Sequence, residues 1–132
     1  MLGELIYEGK GKMIGMRVLD DNGTMETTYQ EEGMIFGIEC TTTLTIASTH
    51  RPDGTGYSEG YGMMLTKEGD AATLTTSAIG IRKGPMPVSS VRGATFFRTQ
   101  SSKLTRLNSI VSIYEIEVNE DLSYKVKDWE WK

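Results

Sequence analysis

The sequence predicts an all-β protein, a single antiparallel barrel of about eight strands. Three observations lead there. The chain is a series of short Thr- and Gly-rich segments of alternating polarity, turn-forming clusters cut it at near-regular intervals, and one stretch, Ser101 to Asn108, departs from the pattern. The clearest breaks are Asp20-Asp21-Asn22-Gly23, Arg51-Pro52-Asp53-Gly54, Lys67-Glu68-Gly69-Asp70, Lys83-Gly84-Pro85 and Asn119-Glu120-Asp121. At 132 residues the chain has the length of one domain, 1–132, enough to bury roughly two-thirds of its unfolded surface.

Each element follows from its own residues. Leu5 to Leu19 reads as a first strand punctuated by Gly9, Gly11 and Gly15, where a bulge, a bend or a close backbone approach fits. Asn22-Gly23 suits the positive φ angles of a tight hairpin, and Met25 to Gln30 would pair back as a second strand, interrupted by Glu31-Glu32-Gly33. Ile35 to His50 is the longest β-rich run. Ile38, Cys40, Leu44 and Ile46 share one face there, and Thr41, Thr43 and Thr45 the other. Tyr57 to Lys67 places Tyr57, Glu59, Tyr61, Met63 and Leu65 together, opposite the small Ser58, Gly60 and Gly62. Ala71 to Arg82 and Val88 to Thr99 continue the series, the latter with Val91, Gly93, Thr95 and Phe97 on one side and Arg92, Phe96 and Arg98 on the other. Ser101 or Ser102 would cap a short helical turn near 102–108, with Leu104 and Leu107 on one surface. Ile110 to Val118 and Tyr124 to Trp131 close the chain. Eight strands is the number whose closure leaves an interior filled by side chains or by one small ligand.

Composition narrows the chemistry. With 14 basic and 18 acidic residues, a net charge of −4 and no basic stripe, the chain does not read as a nucleic-acid binder. One Cys excludes an internal disulfide framework and a multi-cysteine zinc site, and one His excludes a His-rich metal site within a subunit. No metal or other cofactor is expected. There is no signal-peptide pattern and no run near the ~20 apolar residues of a membrane-spanning helix, so a cytoplasmic protein with no membrane partner is expected. Eight Met residues point to a yielding interior.

No complete catalytic motif is present. Gly9, Gly11 and Gly15 lack the spacing and helix of a dinucleotide fingerprint. Cys40 and His50 lie about 33 Å apart along a continuous strand, too far for a thiolate–imidazole pair. Tyr57, Glu59 and Tyr61 are the sharper candidates. If their face points inward, a carboxylate lies between two phenols in an apolar surround, raised in pKa and suited to acid or base work. If it points outward, Glu59 is a solvated charge. Arg92 shares parity with Phe96, so an inward Phe96 would bring Arg92 inside, against Glu59 or a ligand carboxylate. If Phe97 faces in instead, the arginines face water. Candidate catalytic residues are therefore Glu59 and Tyr61, and candidate ligand-binding residues Tyr57, Arg92, Phe96 and Cys40. Trp129 and Trp131 share a face that would seal a barrel end or a subunit contact.

Several of these segments resemble a known group. Arg51-Pro52-Asp53-Gly54 followed by Tyr57, Gly60 and Gly62, then Arg92-Gly93, the segment Thr99 to Asn108 and the closing Trp129-Glu130-Trp131 are similar to small prokaryotic proteins of the allene-oxide-cyclase-like barrel group. The likeness runs from about Gly33 onward and rests on turn and packing signals. It implies an eight-stranded calycin-like barrel, often oligomeric, in a group whose prokaryotic members largely lack an assigned activity. The plant cyclase of that group isomerises an unsaturated fatty-acid epoxide inside its barrel; no site residue transfers from it. The expected function is a non-catalytic barrel, structural or binding a small apolar ligand, that acts as a homo-oligomer. The alternative is a cofactor-free isomerase or cyclase acting on an apolar carboxylate.

Overall fold

The structure, a computed structural model, describes residues 1–84, 88 and 90–132. Its strands are β1 (Leu2–Val18), β2 (Met25–Ile35), β3 (Ile38–His50), β4 (Thr55–Thr66), β5 (Ala71–Ile81), β6 (Ser90–Thr99), β7 (Ser112–Val118) and β8 (Tyr124–Trp131), with a 3₁₀ turn at Thr105–Ser109 between β6 and β7. They form a closed antiparallel barrel in sequence order, β8 pairing back onto β1. The eight-stranded all-β expectation holds.

Inward positions keep period 2 along each strand. On β2 the buried residues are Thr27, Glu31 and Ile35, on β5 Ala72, Leu74, Thr76 and Ala78, and on β8 Tyr124, Val126 and Asp128. Two departures have local causes. A bulge at Ile14 shifts the β1–β2 register between Met13 and Gly15, so Met13 and Met16 both reach the cavity. A second register shift between Leu5 and Tyr7 against β8 lets the consecutive Ile6 and Tyr7 both bury.

Two boundaries differ from expectation. Glu31-Glu32-Gly33 does not interrupt β2, which runs on through it and pairs with β3 up to Ile35–Ile38. The hairpin is instead made at Phe36-Gly37, with φ of 50° and 79°, the paired positive values of a two-residue type I′ connection. Phe36 tolerates the left-handed conformation where its ring packs under the Arg106 guanidinium, 5.1 Å from the ring centre. Of the expected turns, Lys83-Gly84-Pro85 lies only partly within the described residues.

The two barrel ends differ. At one end Leu104 and Leu107, both fully buried, join Ile6, Ile35, Cys40 and Met64 in the apolar core; burial of each leucine contributes about 1.5–3 kcal/mol. The 3₁₀ turn that carries Leu107 is fixed by Arg106, which bonds Glu4 of β1 at 2.7 Å and Glu130 of β8 at 2.6 Å. Asn108 clamps Thr99 through both main-chain groups. The turn has no side-chain cap of its own; Ser101 instead donates to Asp70 at 2.7 Å and accepts from the Lys103 amide. At the other end, where the loops after β1, β3 and β7 lie, the described residues leave an opening into the barrel. Among the described residues no helix is long and apolar enough to cross a membrane.

Candidate functional site

The barrel encloses a cavity of ≈ 470 Å³ that opens at the loop end, within the range of small-molecule sites. Leu44, Ile46, Leu74, Val91, Phe97, Ile116 and Val126 supply apolar walls, and four of the eight methionines (Met13, Met16, Met25 and Met64) line it. His50, Arg51 and Arg82 stand at the mouth with Val118 and Leu122.

The inner end is polar. Glu31, 6% exposed, projects from β2. It accepts a hydrogen bond at 3.0 Å from the Tyr7 hydroxyl on Oε1 and one at 2.7 Å from the Tyr124 hydroxyl on Oε2. Asp128, 5% exposed on β8, accepts from Ser112 Oγ at 2.8 Å. Tyr114 and Thr76 share a bond of 2.8 Å, and the Tyr29 ring meets Tyr124 edge-on at 5.6 Å. Glycines make room for these rings. A Cβ at Gly11 would lie 2.2 Å from the Tyr124 ring, and one at Gly93 2.5 Å from the Tyr114 ring, so neither position admits a side chain while the tyrosine keeps its place.

Burial sets the protonation of this cluster. Desolvation raises Glu31 above the ordinary carboxylate range, while the Tyr124 and Tyr7 hydrogen bonds act the other way by stabilising its charged form. Asp128 is pushed up to about 8, chiefly by burial, with the Ser112 bond opposing and the nearby Glu31 charge adding to the rise. Tyr114 is pushed up to about 12 by burial. Tyr7 and Tyr124 rise well beyond the ordinary phenol range, from burial first and the Glu31 charge next. At neutral pH Asp128 is therefore an uncharged acid, able to exchange a proton with anything that reaches the inner end.

Of the residues singled out from sequence, Tyr57 lines the cavity and the others lie outside it. Glu59 and Tyr61 point away from the cavity; Tyr61 is 74% exposed, and Glu59 accepts from the Tyr57 hydroxyl on the outer surface at 3.1 Å. The small face of β4, with Ser58, Gly60 and Gly62, is the inner one, so of the two placements weighed the outward one is observed. Tyr57 reaches the rim of the cavity, under Arg51 at 5.5 Å. Phe97 faces in and Phe96 out, so Arg92 lies outside, beside Glu115 at 3.5 Å and Glu117 at 3.4 Å; the inward pairing of Arg92 with Glu59 is not formed. Cys40 does face inward, but it is buried in the core and does not line the cavity. Its thiol is pushed up to about 11, chiefly by burial, and it sits at the opposite end of β3 from His50. Trp129 and Trp131 are on the outer face of β8, Trp131 half-exposed. Among the described residues no group of three or more His, Cys, Asp or Glu is placed to hold a metal.

The site residues that sequence reasoning missed are Glu31, Asp128 and Thr42. All three continue the inward parity of their strands, alongside Thr27, Tyr29 and Ile35 on β2, Tyr124 and Val126 on β8, and Cys40, Leu44 and Ser48 on β3. Parity was the available signal.

No protein-family model matches the chain, and no curated protein does. Solved structures do match over nearly the whole length. A protein of unknown function from Clostridium acetobutylicum superposes with a TM-score of 0.79 at 10% identity, covering 98% of both chains. A β-barrel-like protein from Acinetobacter baumannii superposes at 0.74 and 13% identity, covering 98% of this chain and 94% of its own. An enzyme from Penicillium herquei does so at 0.66 and 17% identity, covering 96% and 92%. At these identities the likeness establishes the shared barrel fold.

Proposed function

We propose that the protein binds a small, largely apolar molecule inside the barrel, polar end inward, and works as a homo-oligomer. The carrying observation is the open cavity itself, with apolar walls and polar groups converging at the inner end, the arrangement expected of a ligand site. An assembly is supported by the outer face of β3 to β6. There Tyr61, Met63 (63% exposed), Leu65 and Phe96 (53% exposed) lie among Thr43, Thr45, Thr73 and Thr75, with Arg98 as the charge in that shallow depression. Apolar side chains clustered in this way mark contact surfaces. Native mass spectrometry with gentle activation tests both parts. A multiple of 14.6 kDa carrying a discrete extra mass is expected. A bare single subunit that also fails to take up the apolar dye N-phenyl-1-naphthylamine would overturn the reading.

A second reading, a cofactor-free isomerase or cyclase, is favoured by one observation: a buried carboxyl held between two phenols, with a neutral acid beside it. That is the equipment of proton transfer without a cofactor. Under this reading Glu31 or Asp128 takes the acid or base role that the sequence had suggested for Glu59, and Tyr7 and Tyr124 the hydrogen-bond donor role suggested for Tyr57 or Tyr61. The fungal barrel described above as an enzyme is consistent with such a use of the fold. Glu31→Gln separates the two readings, since it abolishes turnover in an enzyme and leaves a carrier able to bind.

A further inference from the structure

Basic residues line the mouth of the cavity. His50 is the last inward residue of β3, and Arg82, directly after β5, continues the inward parity of Thr76, Ala78 and Gly80. Arg51 follows His50 with its guanidinium laid over the Tyr57 ring at 5.5 Å, a contact that orients the group and leaves its in-plane donors available. One turn ties both arginines down: the Arg51 amide donates to the Thr55 carbonyl at 2.8 Å and the Arg82 amide to the Gly54 carbonyl at 3.3 Å. Beside them the wall is thin. Gly56 stands in register with His50 on one side and Gly80 on the other. A Cβ placed on it would meet only the Thr49 carbonyl oxygen at 3.6 Å and His50 Nδ1 at 3.9 Å, so there is room for a small ligand group. The acids of the neighbouring loops are engaged with their own turns. Asp20 accepts from the amides of Asn22 and Thr24, Asp121 from the amide and hydroxyl of Ser123, and Asp53 from the amide and hydroxyl of Thr55 while also feeling the Arg51 charge. None of the three lines the cavity, where the described carboxyls are Glu31 and Asp128 at the inner end. Among the described residues neither Arg51 nor Arg82 has an ion pair.

We propose that the ligand is bipolar, with a carboxylate at its outer end held by Arg51 and Arg82 over Gly56, beside the His50 ring. This rests on the ligand-binding reading above and adds the chemistry of the ligand's outer end. The planar guanidinium fork matches a carboxylate in geometry and in charge, whereas an ammonium at the same place would meet like charge. The barrel also sets the length. Thr42, in register with Glu31, marks the inner end, and His50 stands eight residues further along β3. At about 3.3 Å per residue and a tilt of about 40°, that is roughly 20 Å along the barrel axis, the reach of an extended dodecyl chain with a hydrogen bond at each end.

Displacement of N-phenyl-1-naphthylamine by 12-hydroxydodecanoate, 1,12-dodecanediol and 12-amino-1-dodecanol tests this on the intact protein, because the three probes differ only in the outer group. The hydroxy acid should displace the dye at about a tenfold lower concentration than the diol, the value of two solvent-exposed charge pairs, and the amino alcohol should be the weakest. In 1 M NaCl, where charges are screened beyond about 3 Å, that advantage should shrink. In the double variant Arg51→Gln with Arg82→Gln the hydroxy acid should come within about twofold of the diol, with the diol itself unchanged. Arg92→Gln, on the outer wall, should leave the preference intact, which separates an anchor at the mouth from a change in overall charge. Dye that does not bind, or that no probe displaces, overturns the ligand-binding reading itself. A hydroxy acid no better than the diol in the parent, a preference that survives the double variant, or an equal loss for all three probes in that variant overturns the carboxylate site and leaves that reading standing.

Discussion

Asp128→Asn isolates the energetic consequence of placing an acid at the inner end of the barrel. Asparagine keeps the shape and can still accept the Ser112 bond, which is 2.8 Å long in the parent, but it never ionises. The Asp128 carboxyl moves from an ordinary 3.8 to about 8 on folding, so between those values the folded state holds a proton that the unfolded chain has lost. Stability must then fall as pH rises across that window, by up to about 1.4 kcal/mol per pH unit, and level off above the folded value. Roughly four units of displacement give a full penalty of about 6 kcal/mol; water at the open mouth screens a share of it, so a gain of about 2–6 kcal/mol is expected for the variant at pH 8. At pH 4, close to the unfolded value of 3.8, most of the penalty has gone, and the two proteins should differ by less than about 1 kcal/mol. Urea unfolding of both proteins at pH 4, 6, 7 and 8 measures the difference directly, with the shared pH dependence of all other groups cancelling. A stability difference that stays flat with pH, or grows towards low pH, would refute the burial argument for Asp128.

Three further outcomes follow from the same geometry. Tyr124→Phe removes the 2.7 Å donor to Glu31 and should cost about 1.5–3 kcal/mol in urea unfolding at neutral pH, with the Glu31 carboxyl, followed by NMR titration, moving further upward because the bond that favours its charge is lost. Gly93→Ala places a methyl group 2.5 Å from the Tyr114 ring, an overpacking expected to cost about 1–3 kcal/mol and to lower Tm; in the double variant with Tyr114→Leu that added cost should shrink. Glu59→Gln changes a residue on the outer surface that accepts a hydrogen bond from Tyr57, and both stability and dye binding should stay within about 0.5 kcal/mol of the parent; a larger loss of dye binding would return Glu59 to the site.

The barrel was legible because its signals are local. Gly-containing turns and alternating Thr-rich segments need no partner to be read, and the inward face of β3, with Cys40, Leu44 and Ile46, was separable from Thr41, Thr43 and Thr45 by parity alone. The inner site was not, for a physical reason. Glu31 and Asp128 occupy inward positions on faces that otherwise carry no carboxyl, and an acid at such a place reads as a break or a surface residue unless its partners are known. Those partners, Tyr7, Tyr124 and Ser112, arrive from other strands, and Tyr124 is 93 positions away. On β4 both placements of the bulkier face were open from sequence, and the outward one is observed: Gly60 passes so close to the β3 backbone that a Cβ would lie 2.0 Å from the Thr45 carbonyl oxygen. The large residues of that strand, Tyr61, Met63 and Leu65, are thereby left outside.

The sequential order of the ladders also carries a kinetic consequence. Seven of them join strands adjacent in the chain, and each can zip from its own turn. The eighth joins β1 to β8, pairing Gly11 with Tyr124 and Leu2 with Trp131. Bringing such distant segments together costs roughly 2 kcal/mol more in loop entropy than closing a ten-residue hairpin. Until that last seam forms, β1 and β8 are both open edges, each a template for pairing with another chain. The seam is thus where the folding rate and the hazard of aggregation meet, and Arg106, which grips Glu4 on one side and Glu130 on the other, is the clasp laid across it.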